Sequence, residues 1–263
     1  TQRNLHGGPQ KRRIFLMSVL TKHYQLLVQS KPKVAILHIG KCGGTSLRQI
    51  LRPDHRDLRH MKKSAYRWQK IKALTWKYQI DWIEHSAVPK TIETHENLAC
   101  FIRTPIERIE SAFYYLFKMN KYYDIKPNTI QGHLISQFPE FDSFMKVCLD
   151  QSHPLHNLAM DSFSTSGHDH FNKGYKYYFS SADYIRKHKE KFLFLGLFEE
   201  FDQETQRLFR TLRIRYAPPK RLNAAPKSYI KTDPKLKEEF AKNFLAEDYD
   251  IYNCLLKIRD EQF

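Results

Sequence analysis

Four short runs of apolar residues punctuate the chain, at 34–39, 80–85, 98–102 and 192–198. Each is shorter than a typical helix. Those at 98–102 and 192–198 are apolar throughout and the one at 34–39 is broken only by His38, as strands of a parallel sheet covered on both faces are. The run at 80–85 ends in the polar pair Glu84 and His85. Between the strands the spacing becomes helical. Helices are predicted from Ser46 to just before Pro53, from Pro105 onward, over 141–149 and 182–189, from 199 to 212, and through the tail from 234 to 258. An amphipathic helix over 13–29 is expected to pack on the surface rather than to enter a membrane. The stretch 118–191 is polar, tyrosine-rich and weakly periodic. Strands alternating with helices predict a P-loop-like, three-layer α/β domain whose central, mainly parallel sheet is flanked by helices. That domain is expected over 33–263, behind a basic helical segment over 1–32.

The first strand runs into Gly40-Lys41-Cys42-Gly43-Gly44-Thr45-Ser46, which places three of the chain's nine glycines within five positions. Glycine permits left-handed backbone and close approach, and a strand, glycine loop and helix start together make an anion site. Lys41 adds a full charge, so the loop reads as a phosphate site. The nucleotide-triphosphatase motif sets its lysine after the last glycine and beside the magnesium-holding hydroxyl. Here Lys41 precedes Gly43 and Gly44.

A second cation follows the third strand, in Arg103-Thr104-Pro105-Ile106-Glu107-Arg108-Ile109-Glu110-Ser111. Thr104 can cap the next helix and Pro105 suits its first position. Arg103 then stands at the carboxyl end of a strand, where open α/β sheets bind ligands. Arg108 and Ser111, three apart, share one helical face.

The formal charge of +16 calls for an anionic partner but does not choose among nucleic acid, acidic membrane, polysaccharide and phosphorylated cofactor. Basic residues and aromatics interleave over 52–77, which suits a nucleic-acid surface, a solvated helical face or the wall of a cleft for an acidic substrate. No nucleic-acid motif accompanies it, and no apolar run reaches the roughly 20 residues a membrane helix needs. Cys42, Cys100, Cys148 and Cys254 are scattered and form no CxxC pair. His168-Asp169-His170 has no partner at helical spacing, so neither group announces a metal.

The pairing of the early-lysine glycine loop with RxPxxRxxSxFY resembles the carbohydrate sulfotransferases of the heparan and chondroitin type. His38 to Ser46 follow their HxxKxGGTS form, although Gly40-Lys41-Cys42 replaces the usual Pro-Lys-Thr. The stretches 194–202 and 222–226 are similar to further family signatures. The segment 157–167 diverges from the family's substrate side. The resemblance implies 3′-phosphoadenosine-5′-phosphosulfate (PAPS) as donor, 3′-phosphoadenosine-5′-phosphate (PAP) as product, no metal, and a carbohydrate or other hydroxylated acceptor that can itself be anionic. It implies that Lys41, Cys42, Gly43, Gly44, Thr45 and Ser46 hold the 5′-phosphosulfate, and that Arg103 and Ser111 hold the 3′-phosphate. Lys41 would also act in catalysis. The base would follow the second strand, as His85, with Glu84 second and His60 third. The rival readings are a P-loop phosphotransferase using ATP and a non-catalytic binder of polyanion or nucleic acid. Scattered cysteines and the lack of an Asn-x-Ser/Thr sequon favour the cytoplasm; the resemblance favours a Golgi lumen and a removed N-terminal anchor.

Overall fold

The computed structural model describes residues 31–51, 78–84, 89–123, 125–164, 169–214 and 232–262. Its centre is a four-stranded sheet of β1 (Lys33–Leu37), β2 (Gln79–Ile83), β3 (Leu98–Ile102) and β4 (Phe192–Leu197), in the order β2-β1-β3-β4. All three pairings are parallel. β1 is central and pairs with β2 from Lys33↔Gln79 to Leu37↔Ile83, and with β3 from Ala35↔Leu98 to Leu37↔Cys100. Val34, Ala35 and Ile36, and all five residues of β3, are buried, which matches their uninterrupted apolar sequence. Asp81 breaks the pattern in β2, the edge strand, where it lies 3.7 Å from His95.

The flanking helices are α1 (Gly44–Leu51), α2 (Pro89–Thr94), α3 (Pro105–Tyr123), α4 (Ile130–Gln137), α5 (Phe141–Leu149), α6 (His156–Asp161), α7 (Asp169–Asn172), α8 (Tyr175–Phe179), α9 (Ala182–Lys187), α10 (Phe201–Leu212), α11 (Pro234–Phe244) and α12 (Ala246–Gln262). The expected sheet and its helical flanks are therefore present. Two details differ from the expected pattern. The tail is two helices, because the chain turns at buried Leu245 and docks both on the body. The weakly periodic middle also holds the short helices α4, α6, α7 and α8.

Two apolar clusters hold the fold. One surrounds the sheet and takes in Leu208, Phe209, Leu212 and Leu255. The other joins α3, α5 and α11 through Phe113, Phe141, Phe144 and Phe240, whose ring centroids lie 5.4 to 6.4 Å apart along their contacts. Those rings hold α3, the helix that follows Arg103, against α5 and α11.

Acidic and basic side chains are equal in number among the described residues. The surplus of +16 is thus carried by the sequence at 1–30, 52–77 and 215–231, which lies outside them. The predicted helix over 13–29, the basic stretch over 52–77, His60, His85, His168 and the 222–226 signature also lie outside the described residues.

Candidate active site

β1 is followed in the chain by β2 on one side and in space by β3 on the other. Strand order reverses between β1 and β3, the crevice where open α/β sheets bind ligands. The loop carrying Lys41 leaves the carboxyl end of β1, and Arg103 leaves the carboxyl end of β3. They meet there, with Arg103 Nη1 donating to the Lys41 carbonyl at 3.5 Å.

Lys41 (φ 66°) and Gly43 (φ 79°) both adopt left-handed backbone, which turns the loop sharply into α1. A side chain at Gly43 would be strained and would meet the rings of Phe198 and Phe201. At Gly44 a β-carbon would fall 1.8 Å from the His38 ring. The sequence GG is therefore demanded twice, once by φ and once by the histidine against it. The N–H groups of Gly44 and Thr45 stand at the start of α1, where no intrahelical carbonyl can serve them, and the positive end of the helix adds to their pull on an anion.

The Lys41 ammonium rests over the Tyr115 ring of α3, 3.7 Å from the centroid. No carboxylate pairs with it among the described residues. Burial, with Arg103 and Lys118 nearby, lowers its pKa to about 7. Arg103 lies over the Phe198 ring at 4.7 Å and 3.8 Å from Glu107. Ser111 is half-buried on α3, two turns beyond Arg103.

Not every predicted residue faces the crevice. Cys42 turns into the core with its Sγ 3.7 Å from the Gly40 carbonyl and 3.9 Å from the Tyr175 hydroxyl, and burial pushes its thiol up to about 11. Ser46 is buried, with its N–H on the Gly43 carbonyl. The Thr104 hydroxyl does not cap α3: it donates to Glu199 at 3.0 Å, while the Thr104 carbonyl accepts from Arg108 N–H. Arg108 shares no open face with Ser111. It is wholly buried, donates to the His170 carbonyl at 3.0 Å and lies 3.7 Å from Asp248.

Glu84, at the end of β2, is held by Arg48 Nη1 at 2.5 Å and by His38 Nδ1 at 3.2 Å. Burial works the other way, yet the His38 hydrogen bond and the Arg48 charge bring its carboxyl below the usual range. Sequence reasoning passed over His38 except as a motif letter, and passed over Tyr115, Tyr175 and Tyr178. Only the tyrosine-rich run in the polar middle hinted at the last two.

The arrangement suits an anion with two separated charged groups, one over each loop. A sequence model of the sulfotransferase family matches residues 24–253, a span that includes all four strands and both cationic loops. Searches of curated proteins and of solved structures gave no match. Fold, loops and family match agree, and the chain belongs to the sulfotransferase family, whose members transfer a sulfuryl group.

Proposed function

We propose that the protein transfers a sulfuryl group from PAPS to an acceptor hydroxyl, on a carbohydrate, by in-line displacement. The observation that supports this most is the convergence of the Lys41 loop and Arg103 at the reversal of strand order, where the Arg103 guanidinium donates to the Lys41 carbonyl. Two neighbouring cationic loops fit a nucleotide phosphorylated at both its 5′ and 3′ positions. The residues suit the group: an ammonium with no carboxylate partner among the described residues, a helix start whose first N–H groups have no intrahelical carbonyl, and a forked guanidinium able to grip phosphate.

When bound, PAPS would supply an activated sulfuryl group on a phosphate that leaves as PAP. The bond from sulfur to the phosphate oxygen breaks while a bond from sulfur to the acceptor oxygen forms. Lys41, with the N–H groups of Gly44 and Thr45, would neutralise charge that grows on the departing phosphate. Arg103 and Ser111 would hold the 3′-phosphate and fix the angle of approach. The acceptor proton would pass to His85, since an imidazole is a residue type able to act as a general base near neutral pH. Glu84, tied to Arg48 and His38, serves better to orient that end of β2 than to take a proton.

Thermal unfolding with PAP, with ATP and magnesium, and with AMP tests the reading. A ligand at 100 times its Kd stabilises by about 2.7 kcal/mol. PAP is expected to give the largest shift. A shift with ATP and none with PAP would replace this reading by a phosphotransferase.

A further inference from the structure

Helix α8 lies behind the crevice, and two of its side chains reach both loops. The Tyr175 hydroxyl donates to the Arg103 carbonyl at 2.6 Å and accepts from the Arg103 N–H at 2.8 Å. Both polar groups of the Arg103 backbone are thus fixed by a single oxygen. Three residues on, and so on the same side of the helix, the Tyr178 hydroxyl accepts from the Gly40 N–H at 3.2 Å. Gly40 opens the Lys41 loop; Arg103 opens the second loop.

The helix is itself anchored. Asp248 of α12 accepts from the Lys176 N–H at 3.2 Å, and a β-carbon at Gly174 would lie 2.5 Å from the same carboxylate. Tyr175 is wholly buried, stacked on Phe179 with centroids 6.1 Å apart, and faces the Arg108 guanidinium at 5.9 Å. Tyr178 is 3 % exposed. Neither ring can swing away, so neither hydroxyl can follow a moving loop. A strand end needs only some acceptor and donor to satisfy it, and water would serve. Two rigid phenols on one anchored helix do more: they set the distance between the loops.

We propose that Tyr175 and Tyr178 are positioning residues which hold the 3′-phosphate and 5′-phosphate sites in register, each governing the loop it bonds. The inference rests on the PAPS reading above. It touches neither phosphate directly: Tyr175 acts through the Arg103 backbone and Tyr178 through Gly40.

The test uses three probes on the full chain: PAP, AMP (5′-phosphate only) and adenosine 3′-phosphate, with affinities measured by calorimetry. Wild-type protein that fails to bind PAP would sink the PAPS reading, and this inference with it. Given wild-type binding, Tyr175→Phe is expected to weaken PAP and adenosine 3′-phosphate by about fivefold to a hundredfold, the worth of its two hydrogen bonds to the Arg103 backbone, and to leave AMP unchanged. Tyr178→Phe is expected to show the opposite selectivity, weakening PAP and AMP but not adenosine 3′-phosphate. A merely structural role would lower the melting temperature and weaken all three ligands by one factor, or none; either result overturns the proposal while leaving the PAPS reading standing. If Tyr175→Phe does not fold, the Tyr178→Phe selectivity decides the matter alone.

Discussion

The Lys41 ammonium lies on the face of the Tyr115 ring, 3.7 Å from its centroid, in the place where a lysine would ordinarily find a carboxylate. An aromatic face attracts a cation without neutralising it. The lysine therefore keeps an unspent affinity for anions, and its pKa falls to about 7 under burial and the neighbouring Arg103 and Lys118.

A pH dependence follows, with two opposite signs. A phosphate beside Lys41 favours the charged form, so binding takes up a proton above pH 7. PAP affinity is expected to weaken as pH rises from 7 to 9, by up to about tenfold per unit. Calorimetry at pH 8 in buffers of different ionisation enthalpy should register that uptake. Without ligand, the folded lysine binds fewer protons than the unfolded one between about pH 7 and 10.5, so this group's contribution to stability rises with pH over the same window.

Arg103→Ala should separate the two phosphate sites. Loss of a charge-assisted bond is worth about 1.5–3 kcal/mol, or roughly 10- to 150-fold in PAP affinity. AMP binding should change by less than about threefold in the same titration. Equal PAP affinity in variant and wild type would remove Arg103 from the 3′-phosphate site.

Gly44 and His38 form a steric pair that a double-mutant cycle can expose. Gly44→Ala places its β-carbon on the imidazole and is expected to destabilise by about 1–3 kcal/mol. In a His38→Ala background the same change should cost far less, because the ring is gone. Urea unfolding of the four proteins gives the coupling; additive values would show that the loop relaxes instead.

Lys237, on α11, sits between Glu107 at 2.8 Å and Glu110 at 2.7 Å, and Glu107 in turn lies 3.8 Å from Arg103. The glutamates are partly exposed, so the pairs are worth less than fully buried ones. Lys237→Met should cost about 1–2 kcal/mol in urea and raise the Kd for PAP a few-fold, by freeing Glu107 to compete for Arg103. A stability loss with unchanged PAP binding would confine Lys237 to joining the two helices.

For the base, His85→Ala should abolish transfer while PAP binding persists, and Glu84→Gln should keep measurable turnover. Single-turnover rates decide between them, and the reverse ranking would move the proton to Glu84.

What the sequence disclosed was local. β3 reads as Leu98–Ile102 because five buried apolar residues need no partner to be recognised, and the Lys41 loop shows itself by its glycines. Arg108 misled, because its burial depends on Asp248 and His170, far along the chain, and a helical wheel cannot see them. The same holds for Tyr175 and Tyr178: α8 is five residues long, too short for periodicity to announce it. The adjacency of Lys41 and Arg103 came from strand order, which local pattern does not encode.

The all-parallel sheet bears on how the chain folds. No two neighbouring strands can be joined by a tight hairpin, so every described pairing must wait for distant segments to meet. Closure of β1 on β3 brings together residues more than sixty apart in the chain, and the crevice exists only once that closure has occurred. Early folding species would thus lack both anion sites at once. A ligand that spans them should slow unfolding while leaving the refolding rate almost untouched.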